Sequence, residues 1–351
     1  MSVVHKLIPA AVTTLALASA HAQSSSTLYG AVDLTFGSFQ TSASPVDKKV
    51  TKVDGNTMVT SFIGFKGVED IGGGVKAGFA LETFLRPDTG AQGRSNTDVF
   101  WGRNANLWLQ NSLGKVTLGR QASLGFLQAA AFNPFGGAFG LAPAIRLTYG
   151  AKGNDKGDSA WSNAVGYTSP TVAGLTVSAQ VQMGETVDKA ERTSLGGAVN
   201  YVAGPLSLGL VAHTLRSAEA PKTSLSYGEK QNFVMASAAY EAGFAKFFAQ
   251  YGQYDNAGYT GASKIDTSLV QLGASVPVTA AGKLLVSIGQ STEKPVDAVT
   301  PRTTDHNIAS VAYDHWLSKR TDVYVAFMLD DEDLPGYRAG RSYMVGVSHA
   351  F

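Results

Sequence analysis

Cysteine is absent from the 351-residue chain, which excludes a disulfide framework and a thiolate metal site. Charge is scarce. Asp, Glu, Lys and Arg make up 16% of the residues, against roughly 25% in ordinary soluble domains. Long apolar runs are missing too: beyond residue 22 nothing reaches the roughly 18 uninterrupted apolar residues of a spanning helix. The most apolar region, Leu124 to Ile145, is broken by Asn133, Pro134, Pro143 and by glycines beginning with Gly125, so it is no regular spanning helix. Catalytic signatures are lacking: there is no G-x-S-x-G, no H-E-x-x-H and no Walker A loop. The run Gly72 to Ala77 fits G-x-G-x-x-A formally, but no helical pattern follows it and it reads as a turn. No enzyme activity, cofactor or metal is expected.

What is present is glycine, 39 residues of it, and aromatic residues at 10%. Residues 1–22 read as a Sec signal peptide, with Lys6 as the positive region, an apolar stretch, and Ala20-His21-Ala22 as the cleavage site. That segment holds one of the 28 basic residues and none of the 27 acidic ones, which leaves 27 of each in residues 23–351. A neutral total argues against nucleic acid as a partner.

Alternation runs through residues 23–351. Leu28, Val32, Leu34 and Phe36 fall on one face of their segment, with Tyr29, Asp33 and Thr35 on the other. Val75, Ala77, Phe79, Leu81 and Thr83 oppose Lys76, Gly78, Ala80 and Glu82; Tyr343, Val345, Val347, His349 and Phe351 oppose Met344, Gly346, Ser348 and Ala350. Period two means strands. The large residues share one side while the other is small and polar, the pattern of a barrel turned inside out, apolar to lipid and polar to a lumen.

Sixteen such segments lie near 27–37, 59–68, 74–84, 99–110, 115–121, 158–169, 173–184, 192–202, 205–216, 230–241, 243–254, 267–277, 282–291, 304–316, 321–330 and 342–351. Most are long enough for a tilted strand to cross a bilayer. The connections alternate between tight turns and long loops, the third long loop being 122–157. Short turns at one end and long loops at the other are the habit of outer-membrane barrels, and an even strand number leaves both termini on the short-turn, periplasmic side. The fold expected is all-β, a 16-stranded antiparallel transmembrane barrel.

These residues carry a resemblance. Thr27-Leu28-Tyr29-Gly30 with Asp33, GFKGVEDIGGGVKAGFALE at 64–82, GRNANLWLQNSLGKVTLGRQ at 102–121, NAVGYTSP at 163–170, LSKRTDVY at 317–324 and the terminal His349-Ala350-Phe351 resemble the general porins of Gram-negative bacteria, of the type found in Burkholderia, Bordetella and Neisseria relatives. The resemblance implies a homotrimer in the outer membrane, in contact with its lipid and lipopolysaccharide. It also implies passive diffusion of small hydrophilic solutes and ions, and loop 3 folded into the lumen. A terminal Phe351 would be part of the signal read by the barrel-assembly machinery.

In the resembling family, cations on the barrel wall face acidic or polar groups on loop 3, and such rings set selectivity. Arg103 and Arg120 match its wall arginines. Each either lines the pore or holds loop 3 or a neighbouring strand by hydrogen bonds. Two positions usually basic in the family hold Phe62 and Ala160 instead. Lys76, Arg146 and Lys152 are the candidate substitutes, with solvated surface charge as the other reading. Loop 3 is unusually apolar. Its NPFGG resembles the PEFGG of enteric porins without the Glu, and its carboxylates, Asp155 and Asp158, come late. Phe132, Phe135 and Phe139 are expected to pack the loop onto the wall, although an apolar loop also suits contact with an aromatic or weakly polar solute.

The acidic run Asp330 to Asp333 is assigned to loop 8, solvated or holding divalent cations. Aromatic residues near strand ends, Tyr29, Trp101, Trp108, Tyr167, Tyr201, Tyr240, Tyr251, Tyr254, Trp316, Tyr324 and Tyr343, are assigned to two interfacial girdles. A water-filled diffusion channel is the function expected. The rivals are a channel with a low-affinity site at loop 3 and, from another class, a surface adhesin or outer-membrane enzyme.

Overall fold

The computed structural model describes residues 25–42, 49–149, 158–184, 193–216, 230–260, 263–295 and 302–351. Among them are eighteen strands: β1 (Ser25–Phe39), β2 (Val50–Gly55), β3 (Phe62–Gly72), β4 (Val75–Arg86), β5 (Ala91–Gln92), β6 (Asn104–Asn111), β7 (Gly114–Ala122), β8 (Ala160–Thr168), β9 (Leu175–Gln182), β10 (Ser194–Ala203), β11 (Leu206–Arg216), β12 (Lys230–Glu241), β13 (Lys246–Thr260), β14 (Ser263–Pro277), β15 (Gly282–Pro295), β16 (Thr304–Trp316), β17 (Thr321–Glu332) and β18 (Gly340–Ala350). Sixteen form the barrel wall, each antiparallel to its neighbour, and β18 returns to pair with β1 from Ala31↔Ala350 to Ser38↔Tyr343. The other two, β2 and β5, are short strands of the long connections.

Alternation explains which side is which. Leu107, Phe36, Leu195, Ile288 and Val345 are exposed, while Gln250, Gln271, Ser287, Ser310 and Ser342 are buried. A bilayer offers no hydrogen bonds to side chains or to an unpaired strand edge, so the apolar residues face out and the ladder closes on itself. Three successive left-handed glycines, Gly72, Gly73 and Gly74, make the β3–β4 turn, a conformation that other residues rarely adopt.

The wall is interrupted once for a structural purpose. β2 covers the upper half of β1, from Leu34↔Gly55 to Phe39↔Val50, and β3 covers the lower half, from Ser25↔Val68 to Ala31↔Phe62. Between them residues 56–61 turn inward, with Asn56 left-handed at φ 68°. Buried Asp33 holds this turn: its carboxylate accepts from the Thr57 amide at 2.8 Å and from the Tyr324 hydroxyl at 3.0 Å, and its own amide donates to Ser61 Oγ at 2.9 Å. The second barrel strand therefore starts at Phe62 rather than near 59.

Two expectations need correcting, and one further feature was not foreseen. Tyr254 and Tyr324 are buried inside the barrel, and Tyr29 and Trp108 carry lysines of the inner face over their rings, so none of the four belongs to a lipid-facing girdle. Tyr167, Tyr201, Tyr240, Tyr251 and Tyr343 are exposed, as a girdle requires. The acidic run begins on a strand: Asp330 and Glu332 are buried inward-facing residues of β17. Finally, the apolar region of loop 3 contains two short helices, α1 (Leu124–Ala131) and α2 (Pro143–Tyr149). Ser123 caps α1 by accepting from the Phe126 amide at 3.3 Å, and Asn133-Pro134 stops it.

Val345 lies at the middle of β18 and faces outward. Val345→Arg is expected to destabilise the barrel by about 2–4 kcal/mol, read as a lower urea midpoint for the protein folded into lipid. Unchanged midpoints would show that this face does not meet hydrocarbon.

Candidate functional site

Loop 3 is seated on the inner side of the wall. α1 packs on β9–β12 and α2 on β14–β16. The contact is mostly apolar: Phe135, Leu141 and Ile145 from the loop meet Met235, Leu269, Ile308 and Met328 from the wall in one buried cluster. Fully burying each large side chain contributes roughly 1.5–3 kcal/mol. Close approach is allowed by glycines on the wall. A Cβ at Gly273 would stand 2.6 Å from Pro134, and one at Gly289 would stand 2.7 Å from Pro143. Polar pins add direction. Gln250 of β13 donates to the carbonyls of Ala129 at 3.1 Å and Phe132 at 2.6 Å. Arg146 pairs with Asp330 at 2.9 Å, and His306 reaches the other oxygen of Asp330 at 2.8 Å.

Of the three phenylalanines named from the sequence, Phe132 packs with Ala239 and Phe248, and Phe135 joins the main cluster. Phe139 is only partly buried and stacks on Phe126, centroids 5.9 Å apart.

A charged lock holds the other end of the loop. Gly119 takes φ 114° where the β7–β8 register shifts, and Ser162 and Asn163 of β8 bulge opposite Arg120. A bulge re-aims a side chain, and Arg120 here donates to Asp158 at 2.6 Å, to Ser162 Oγ at 2.7 Å and to the Gly102 carbonyl at 2.7 Å. Arg94, from the connection after β5, pairs with Asp98 at 2.8 Å and with Asp158 at 3.1 Å, and lies over the Phe84 ring. Burial pushes the carboxyls of Asp98 and Asp158 up, but the neighbouring guanidiniums outweigh it and hold both below the usual carboxylate range. Arg120 is 7% exposed and holds loop 3 to the wall through Asp158.

On the inner wall around β3, β6 and β7, cations lie on aromatic rings. The Arg103 guanidinium sits 4.0 Å from the centre of Phe62 and pairs with Glu82, which also accepts from Tyr29 and Asn104. Lys66 lies 4.2 Å from the centre of Tyr29, and Lys115 of β7 lies 4.5 Å from that of Trp108. Cation–ring contacts are worth about 0.5–1 kcal/mol where exposed. Phe62, where the resemblance led to the expectation of a cation, is thus the seat of one. Ala160 is buried at the start of β8. Lys76 is exposed and stands across from Asp70 and Gln110. Lys152 and Asp155 lie outside the described residues.

Sequence reasoning missed Glu82, Arg94, Asp98 and Asp33 as site residues. Glu82 was legible, being a carboxylate on the polar face of an alternating strand. Arg94 and Asp98 sit in a Gly- and Ser-rich loop, where charge ordinarily reads as solvated.

Asp158→Asn leaves the buried Arg120 guanidinium, and the half-buried Arg94 that still holds Asp98, facing a neutral amide; breaking a buried pair costs about 3–5 kcal/mol. The Ser123 amide, which donates to the Ser159 carbonyl at 2.9 Å, should then exchange its hydrogen faster while the β18–β1 amides keep their protection. The unmodified protein should behave the same way in acid. Carboxyls held below the ordinary 3.8 stabilise fully at neutral pH, and that stabilisation is lost as pH falls below about 3.8.

Residues 10–334 match the family model described as Gram-negative porin. Outer membrane porin protein 32 of Delftia acidovorans is 28% identical over 359 aligned residues, covering 95% of this chain and 96% of its own. Among solved structures, the anion-selective porin from Comamonas acidovorans is 24% identical, with a TM-score of 0.75 over 94% of this chain and 100% of its own. OmpT of Vibrio cholerae in trimer form is 13% identical, with a TM-score of 0.68 over 93% of this chain and 99% of its own.

Proposed function

The chain belongs to the Gram-negative porin family and forms a diffusion channel of the outer membrane, and from that premise we propose that it works as a homotrimer whose water-filled pores are each narrowed by loop 3. Small hydrophilic solutes and ions pass down their gradients without a chemical step. The observation that carries the reading is the pairing of two surfaces: an apolar loop seated on the β9–β16 side, and the partly exposed cations Lys66 of β3 and Arg103 just before β6, left to face the aqueous path. Charged rings at close quarters select solutes. Arg103, with 36% of its side chain exposed, is the wall cation placed to act on a passing ion, and Glu82 tempers it. The trimer is supported by the Vibrio relative solved in that form. Contact with lipid and lipopolysaccharide is supported by the exposed apolar face. Export by a signal peptide at residues 1–22 belongs to the same proposal, although that segment lies outside the described residues.

Planar-bilayer recording tests this. Insertions should appear as triplets of equal conductance steps; folded protein that conducts no ions would overturn the pore. Arg103→Ala should shift the reversal potential in a salt gradient away from anions, and an unchanged potential would remove Arg103 from the narrow part.

The end of the chain has a separate role in this reading. Phe351 exchanges two backbone hydrogen bonds with Gly30, at 3.1 and 3.2 Å, and we assign its ring to recognition by the assembly machinery. Deletion of Phe351 should lower the amount of folded barrel in outer membranes several-fold, with unit conductance unchanged in the pores that do form. Normal amounts would sink the assignment.

A further inference from the structure

Packing accounts for only part of the apolar surface of loop 3. Gly125, Gln128 and Ala129 of α1 are buried toward the wall. Phe126, Leu127 and Phe139 are not: Leu127 is 50% exposed, and the stacked Phe126–Phe139 pair is only partly buried. Phe126 and Phe139 pack one face on the loop's buried cluster, Phe126 also against Tyr149, and with Leu127 they leave an apolar edge partly open. Residues 123–149 contain no Asp or Glu, and their one cation, Arg146, is paired with Asp330. The open side of the loop therefore carries no free charge.

The facing wall differs in kind. Arg103 lies over Phe62, and Lys66 lies over Tyr29 and makes no ion pair among the described residues, although Glu82 accepts from the Tyr29 hydroxyl. The heights correspond. Gly140 abuts the backbone of Thr57, Thr57 is bonded to Asp33, and Asp33 is two residues along β1 from Ala31, the partner of Phe62. Phe139 thus stands at the level of Phe62 and Arg103. A solute passing there meets cations backed by rings on one side and bare hydrocarbon on the other. A hydrated inorganic ion uses only the first surface. A carboxylate on an aromatic body uses both, with its oxygens on the cations and its ring against Phe126, Leu127 and Phe139.

We propose that the passage between the Phe126–Phe139 edge of loop 3 and the Arg103–Lys66 wall is a low-affinity site for aromatic monocarboxylates. The site rests on the porin reading above and gives that pore a preferred solute class.

Benzoate is the probe, tested on chloride current through single reconstituted channels, with acetate supplying charge without a ring and benzamide a ring without charge. Benzoate should reduce the current saturably, at a half-effect concentration about tenfold below those of acetate and benzamide, as ring contacts of this kind predict. Leu127→Ser and Phe139→Ser should each raise the benzoate value several-fold and leave acetate unchanged; Leu127 is exposed and its substitution leaves the loop's seat intact. Arg103→Ala should weaken benzoate and acetate alike. Equal effects of benzoate and acetate, or a benzoate value untouched by Leu127→Ser, would overturn the site while leaving the pore standing. Absence of chloride current would instead overturn the pore.

Discussion

The seam between β18 and β1 is what the rest of the barrel depends on. Hydrocarbon supplies no partner for a backbone N–H or C=O, so an open edge in the membrane is not a stable state. The eight paired positions from Ala31↔Ala350 to Ser38↔Tyr343 remove that edge. Closure makes inside and outside distinct, and it turns a plain alternation of residue size into a lipid face and an aqueous one. The Phe351–Gly30 bonds extend the seam to the last residue.

Inside the wall, different forces hold the two ends of loop 3. The α1–α2 region sits by burial of apolar surface, which has no direction, on a surface shaped by Gly273 and Gly289. Its return toward β8 is fixed by Arg94, Arg120 and Asp158, where geometry and charge are strict. Salt and pH act on the second attachment, and on the first only through the Arg146–Asp330–His306 contacts. The aqueous side of the wall uses a third device, cations resting on rings. The rings at Phe62, Tyr29 and Trp108 restrain long side chains that would otherwise sweep the lumen.

Much of this was legible before any coordinates. Alternation assigned Leu34 and Val345 outward and Asp33 and Ser348 inward, because a pleated strand leaves no other choice. The same rule would have placed Tyr254 inside, since it shares parity with Gln250 while Tyr251 does not. Treating every strand-end aromatic as an interfacial anchor overrode it. What could not be read was long-range. The aim of Arg120 depends on the left-handed Gly119 beside it and on a bulge of β8 opposite it, and Arg94 meets Asp158 across 64 residues of sequence. Neither the left-handed glycine nor that pairing leaves a periodic trace. Phe62 reads as a lost charge in sequence, where the resemblance led to the expectation of a base, and as the platform of Arg103 in space.

Asp33 joins three parts of the chain that are far apart in sequence. It holds Thr57, which abuts the tip of loop 3 at Gly140, and it is held by Tyr324, 291 residues away. Closing so long a stretch of chain carries a large loop-closure cost. The inward turn at 56–61 therefore has its full set of partners only where β17 has come round to β1. The tip of loop 3 rests on that same turn, so the closed wall and the seat of the loop share one small group of contacts.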